Sequence, residues 1–176
     1  MSEPTIRSAT IADVPALHAL VEGAYRGDSA RGGWTHEADL LGGQRTDPAA
    51  LAAILADADH RILLACVGID PVGCVQIGRG DGTTATLGLL AVAPGRQAGG
   101  LGRRLIAAAE AEAATRFGAR RMEMTVIVQR DELIAWYERR GYVPTGETRP
   151  FPLDDPRFGL PVRRDLAFTV LAKALS

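Results

Sequence analysis

The stretch Val92-Ala93-Pro94-Gly95-Arg96-Gln97-Ala98-Gly99-Gly100-Leu101-Gly102 decides the fold. An apolar run ends at Val92, Pro94 and Gly95 stop it, glycines follow, and a helical pattern begins. Leu101, Leu105, Ile106, Ala109 and Ala113 recur on one face of that helix, which is expected to run to about Phe117. A glycine-rich turn at a helix start presents bare backbone N–H groups and lets an anion approach closely. Arg96, Arg103 and Arg104 add positive charge, so the expected ligand carries a phosphate or pyrophosphate. No Gly-Lys-Ser/Thr ends the loop, which excludes a P-loop, and no third glycine stands at the dinucleotide spacing.

Strands are expected upstream at Arg61 to Val67, Val72 to Arg79 and Thr83 to Val92. The last is interrupted at Gly88. Downstream, Arg121 to Val128 reads as a strand and Leu133 to Arg139 as a short helix stopped by Gly141. Tyr142 to Thr145 and Arg164 to Leu171 read as the final strands. Near the start, Thr5 to Ala9 is a strand candidate. Thr10 then caps a helix carrying Val14, Leu17, Leu20, Val21 and Tyr25. Trp34 to Leu41 suggests a short helix, and Asp47-Pro48 caps another through Leu55. This order predicts an α+β domain, mostly antiparallel, with one parallel pair around the glycine-rich crossover. A doubly wound sheet would need stricter alternation.

The chain has 176 residues, enough for one domain over 1–176 with a real core. Its 20 Lys and Arg balance 21 Asp and Glu, which offers nothing to a nucleic acid or membrane surface. Met1 to Ile11 lacks the pattern of a signal peptide, and no apolar run approaches the ~20 residues of a membrane span. A cytoplasmic location is expected. Three scattered histidines give no metal-ligand spacing, so no metal is expected. With Gly68-Ile69-Asp70-Pro71 as the turn, Val67 would face Val72 and Cys66 would face Gly73. Cys66 and Cys74 would then point to opposite faces, as two small core hydrophobes without a disulfide.

Gln97-x-x-Gly100-x-Gly102, preceded by Val92 and Pro94, resembles the (Gln/Arg)-x-x-Gly-x-(Gly/Ala) signature of the GNAT acetyltransferase superfamily. Tyr137-Glu138-Arg139-Arg140-Gly141-Tyr142 resembles its Tyr-x-x-x-Gly-(Phe/Tyr) element. The opening Ile6-Arg7-x-Ala9-Thr10-x-x-Asp13 is similar to a family start. The resemblance implies a central sheet splayed into a V, with acetyl-CoA as co-substrate in the gap. Pantetheine would pair with Leu90, Ala91 and Val92. The pyrophosphate would lie on Gln97, Ala98, Gly99, Gly100, Leu101, Gly102 and Arg103.

The implied reaction is aminolysis of a thioester, which requires positioning, an oxyanion donor from Leu90 to Val92, and a proton for the leaving sulfur. Tyr137 matches the family tyrosine beside the sulfur, and Tyr142 a packed aromatic position. At the places where the family often carries a glutamate base, this chain has Thr86 and Thr125. Glu123, two residues from Thr125, is the base candidate; its other reading is a surface ion pair with Arg121 or Arg79, and water relays remain a route. Arg130 replaces the usual asparagine. The acceptor is expected to be the primary amine of a small molecule, held by Trp34, Glu37 and Phe151. Phe158 and Asp39 belong to the same variable segments. A non-catalytic acyl-CoA sensor and a protein N-acetyltransferase are the alternatives, and a homodimer is allowed.

Overall fold

The computed structural model describes residues 2–25, 41–42 and 45–176. A seven-stranded sheet runs through the molecule in the order β1 (Thr5–Ser8), β3 (His60–Val67), β4 (Asp70–Arg79), β5 (Thr84–Val92), β6 (Arg121–Ile127), β9 (Ala167–Ala174) and β7 (Val143–Pro150). A separate pair joins β2 (Leu41–Gly42) to β8 (Leu160–Pro161). The α+β architecture with a mostly antiparallel sheet is as expected. Of the expected helix Trp34 to Leu41, only Leu41 is described, and it begins a strand; Trp34 and Glu37 lie outside the described residues.

Strand alternation divides the core between the two sheet faces. Leu63 and Ala65 of β3 join Leu105, Ala109 and Ala113 of α3 (Leu101–Phe117) on one face. Ile62, Leu64 and Cys66 join Leu17 and Val21 of α1 (Val14–Tyr25) and Leu51 of α2 (Pro48–Ala56) on the other. Helix α2 starts where Asp47 caps it, its carboxylate accepting from the Ala50 N–H at 2.7 Å.

The hairpin β3–β4 corrects the expected cysteine arrangement. Val67 pairs with Asp70 and Cys66 with Pro71, whereas Ala65 pairs with Gly73, so the turn is tighter and a bulge follows it. The bulge inserts one residue and inverts the alternation beyond it. Cys74 therefore faces Leu64 and shares the core face of Cys66. Both are free thiols. The Cys74 thiol donates to the Leu89 carbonyl at 3.2 Å, and burial pushes its pKa up to about 12.

Two features open the sheet. The parallel pair β5–β6 covers only Thr84 to Thr86 against Arg121 to Glu123. Beyond that short contact the strands part, giving the expected V. The second feature is a bulge in β5. Gln76 pairs with Gly88 and Cys74 with Ala91, which leaves Leu89 and Leu90 without register partners in β4. Leu89 has φ 48, the one non-glycine residue with positive φ among the described residues. Ala85 and Leu87 consequently point into one core cluster while Leu89 and Ala91 point into the other. A leucine held in this conformation costs about 1–3 kcal/mol and persists only where packing enforces it.

Candidate active site

Val92 hands the chain to a 3-10 turn, Pro94–Gly99, which ends at Gly100 in the left-handed conformation with φ 75. Glycine is suited to that cap because it has no Cβ to collide with the following carbonyl. Gln97 donates its side-chain Nε2–H to the Val92 carbonyl at 3.3 Å, tying the turn back to the strand end. At Gly102 a Cβ would sit 3.2 Å from the Trp136 ring, so glycine lets α3 and α4 (Asp131–Glu138) approach each other. A cavity of about 490 Å³ opens where β5, this turn, the start of α3 and α4 meet.

Leu90, Ala91, Val92, Gln97 to Gly100, Gly102 and Arg103 all border that cavity. The Leu101 side chain is buried in the core and does not border this cavity, which leaves the backbone N–H role expected of it untouched. The cavity is cationic: Arg103, Arg130 and Arg140 line it. The Arg140 guanidinium lies 3.7 Å from the Trp136 ring centroid and donates to the Trp136 carbonyl at 2.7 Å. Burial, Arg139 and Arg103 hold its pKa below the usual arginine range. The site therefore carries a cation at an electrostatic cost that a bound anion would relieve.

A second cavity of about 310 Å³ lies in the gap between β5 and β6. Tyr25, Leu90, Arg130, Leu133 and Tyr137 border both cavities, so these residues form the boundary between them. Tyr137 is 5% exposed and packs edge-on against Trp136 and Tyr142, with ring centroids 5.1 Å and 6.0 Å away. Burial raises its pKa first of all, so the phenol keeps its proton through the neutral range. Tyr142 is core, as expected. Its hydroxyl donates to Glu110 Oε1 at 2.9 Å, and Lys173 reaches the same carboxylate at 3.0 Å.

Phe151, the expected acceptor contact, lines the second cavity, its ring 5.2 Å from that of Phe168. Glu123 borders neither cavity. It pairs with Arg121 at 3.2 Å and with Arg149 at 3.6 Å, near the closed end of the V where it faces Thr86. Thr125 does line the second cavity. Among the described residues, no carboxylate or imidazole lines either cavity, and no cluster of three His, Cys, Asp or Glu could hold a metal ion.

Sequence reasoning missed Tyr25 and Arg45. Tyr25 closes the apolar stripe of α1, yet its hydroxyl donates to the Leu90 carbonyl, 65 residues away in the chain. The Arg45 guanidinium lies 5.0 Å from the Tyr25 ring centroid and lines the second cavity. The signal for Tyr25 was a phenol at the end of an apolar stripe, where a leucine would serve packing as well.

The acetyltransferase (GNAT) family model matches residues 24–142. That span holds the glycine-rich turn, α3, β6 and Tyr137. Members of this family take their acetyl group from acetyl-CoA. No curated protein matches the sequence. Solved structures share the fold at low identity. The Escherichia coli ribosomal-protein-S18-alanine N-acetyltransferase aligns at TM-score 0.71 and 20% identity, over 98% of this chain and 94% of its own. A mutant of the Vibrio cholerae spermidine N-acetyltransferase aligns at TM-score 0.71 and 16% identity, over 100% and 96%. A Salmonella typhimurium protein solved with its cofactor acetyl-CoA aligns at TM-score 0.70 and 21% identity, over 99% and 95%. No helix among the described residues is long and apolar enough to cross a membrane.

Proposed function

The chain belongs to the acetyltransferase (GNAT) family, and we propose that it transfers an acetyl group from acetyl-CoA to the primary amine of a small molecule, by direct attack in a ternary complex. One observation carries the reading. A cationic cavity at the glycine-rich helix start meets a second chamber, walled mainly by apolar side chains, across Leu90 and Tyr137. The pyrophosphate takes the N–H groups of the turn from Gln97 to Gly102, with Arg103 and Arg140 beside it. Pantetheine follows Leu90, Ala91 and Val92, and the thioester reaches the boundary between the cavities.

There the amine attacks the thioester carbonyl. A C–N bond forms, the C–S bond breaks, and its electron pair leaves on sulfur. The β5 bulge takes Leu90 out of register with β4, and in this reading its N–H serves as the oxyanion donor. Tyr137, protonated in its buried place, donates its O–H to the leaving sulfur. With its pKa raised, the phenol stabilises the developing thiolate by hydrogen bonding more readily than by full proton transfer. Thiolates are formed from groups of pKa ≈ 8.5, which lie below the phenol. Glu123 is too engaged with arginines to serve as base, so the amine enters neutral or loses its ammonium proton to water, and the proton that the nitrogen sheds after attack passes through water to the coenzyme A thiolate.

One feature favours a second reading, a non-catalytic acyl-CoA sensor: the lack of a carboxylate or imidazole in the walls formed by the described residues. Positioning alone supplies much of an aminolysis barrier, which keeps the enzyme reading ahead. Isothermal titration tests the coenzyme half. Acetyl-CoA should bind saturably with one site per chain. Absence of binding at millimolar concentration would overturn both readings.

A further inference from the structure

One wall of the second cavity is a small apolar cluster that belongs to neither of the larger cores. Ile127 of β6 and Phe168 of β9 are register partners, so their side chains stand on the same face of the sheet. Phe151, just past the end of β7, brings its ring to 5.2 Å from that of Phe168. Leu166 and Leu153 complete the cluster from behind the cavity wall.

Charge gives way to carbon along this face of β6. Glu123 is held by Arg121 and Arg149 outside the cavity. Two residues on, Thr125 borders the cavity with a hydroxyl and a methyl, and two further on Ile127 offers carbon alone. Ile127 and Phe151 are each less than a tenth exposed, whereas Phe168 is only partly buried. An apolar group laid over Phe168 would take its remaining surface out of water. Full burial favours binding about fourfold per methylene. A polyamine would lay further ammonium groups on the same wall, where Ile127, Phe151 and Phe168 have no acceptor to replace lost water. One tilted ring pair beside an isoleucine is an apolar floor, not an aromatic cage for a cation.

The position of the floor sets which end of the acceptor it holds. Ile127, Phe151 and Phe168 border the second cavity alone, whereas Leu90, Leu133 and Tyr137 border both. The volume of about 310 Å³ stands at the lower end of the ~300–1,000 Å³ typical of small-molecule sites, room for a ring or a short alkyl chain. An acceptor with its apolar body on the floor keeps its nitrogen for the boundary, where the thioester is proposed to end.

We infer that the acceptor is a primary amine with an aryl or alkyl body, packed on Ile127, Phe151 and Phe168, its nitrogen presented at Leu90 and Tyr137. This rests on the acetyl transfer proposed above. The test follows thiol release with ethylamine, butylamine and hexylamine, whose ammonium groups share nearly one pKa, with ethanolamine and spermidine beside them. Acetyl-CoA binding is measured separately on the same preparations. From ethylamine to hexylamine kcat/KM should rise at least about tenfold, within the fourfold per methylene of full burial, and hexylamine should exceed both ethanolamine and spermidine. Phe151→Ala should flatten the rise, and Phe151→Leu, which keeps an apolar body, should retain most of it. A flat or falling series, or spermidine used as well as hexylamine, would overturn the inference. So would an undiminished rise in a Phe151→Ala protein that still binds acetyl-CoA. If that variant does not fold, the wild-type series decides alone. A preference for butyryl-CoA over acetyl-CoA, with no effect of amine length, would give the floor to the donor's chain and overturn it too. No turnover of any amine by a protein that binds acetyl-CoA would overturn the inference and leave the coenzyme reading standing. Failure to bind acetyl-CoA would remove both.

Discussion

The Tyr25 hydroxyl donates its hydrogen to the Leu90 carbonyl, joining the last residue of α1 to the bulge of β5. The same bulge has its Leu89 carbonyl held by the Cys74 thiol. Two side chains from opposite ends of the local structure thus replace ladder bonds that the bulge has removed. Tyr25→Phe should therefore cost about 0.5–1.5 kcal/mol of stability. It should also lower kcat, because the bulge that carries the proposed oxyanion donor loses one of its two side-chain anchors. A thermal melt and steady-state kinetics on the variant check both parts.

Tyr137 is the side chain that both borders the two cavities and carries a proton-bearing oxygen held protonated by burial. Tyr137→Phe keeps the ring and its edge contacts with Trp136 and Tyr142. Turnover should fall on the order of 10²-fold, with acetyl-CoA affinity close to that of the parent. An unchanged rate would give the sulfur's hydrogen bond to water.

Glu123 should prove structural. Its carboxylate is held between Arg121 and Arg149, away from both cavities. Glu123→Gln is expected to cost about 0–1 kcal/mol of stability and to leave the pH–rate profile in place. The rising limb of kcat/KM should instead follow the acceptor's own ammonium pKa. Two acceptors with different pKa values should shift the limb by their difference. A limb that ignores the acceptor and disappears in the glutamine variant would make Glu123 the base.

Much of this site could be read from short-range spacing. Gln97, Gly100 and Gly102 sit within one turn and one helix start, and Tyr137 lies in a single short helix; local chemistry determines such elements. Distance in the chain explains what could not be read. The face of Cys74 depends on a bulge opposite Ala65 and Cys66, and one inserted residue reverses every side chain beyond it. The break in β5 was signalled by Gly88, but the strained residue is Leu89, which has no turn-forming character of its own. Glu123 shares a strand with Thr125, yet β5 and β6 are still paired at one residue and parted at the other. Tyr25 and Arg45 join the site only through contacts that the fold creates.

The start of the chain offers a test of its electrostatics. Asp13 accepts from Arg7 Nη1 and Nη2, each at 2.8 Å, and from the Thr10 N–H at 2.7 Å. The Arg7 hydrogen bonds, ahead of the backbone one, lower its pKa to about 2. A depressed carboxylate stabilises the fold above its unfolded pKa, near 3.9. That contribution fades as pH falls toward 2 and the folded-state carboxylate takes up its proton. Arg7 is 47% exposed, so screening limits the effect to about 1 kcal/mol. Asp13→Asn should be less stable than the parent by that amount at pH 7. The gap should close by about pH 2, as read by urea denaturation across the range.

The most direct test of the account is amine-dependent release of free coenzyme A from acetyl-CoA by the purified protein, followed with a thiol reagent alongside mass detection of the acetylated amine. The account predicts thiol release that saturates with a small primary amine, proceeds one for one with product gaining an acetyl group, and falls to background without the amine. A protein that binds acetyl-CoA yet releases thiol at the same background rate across a broad set of amines would contradict acetyl transfer and leave a coenzyme-binding sensor in its place.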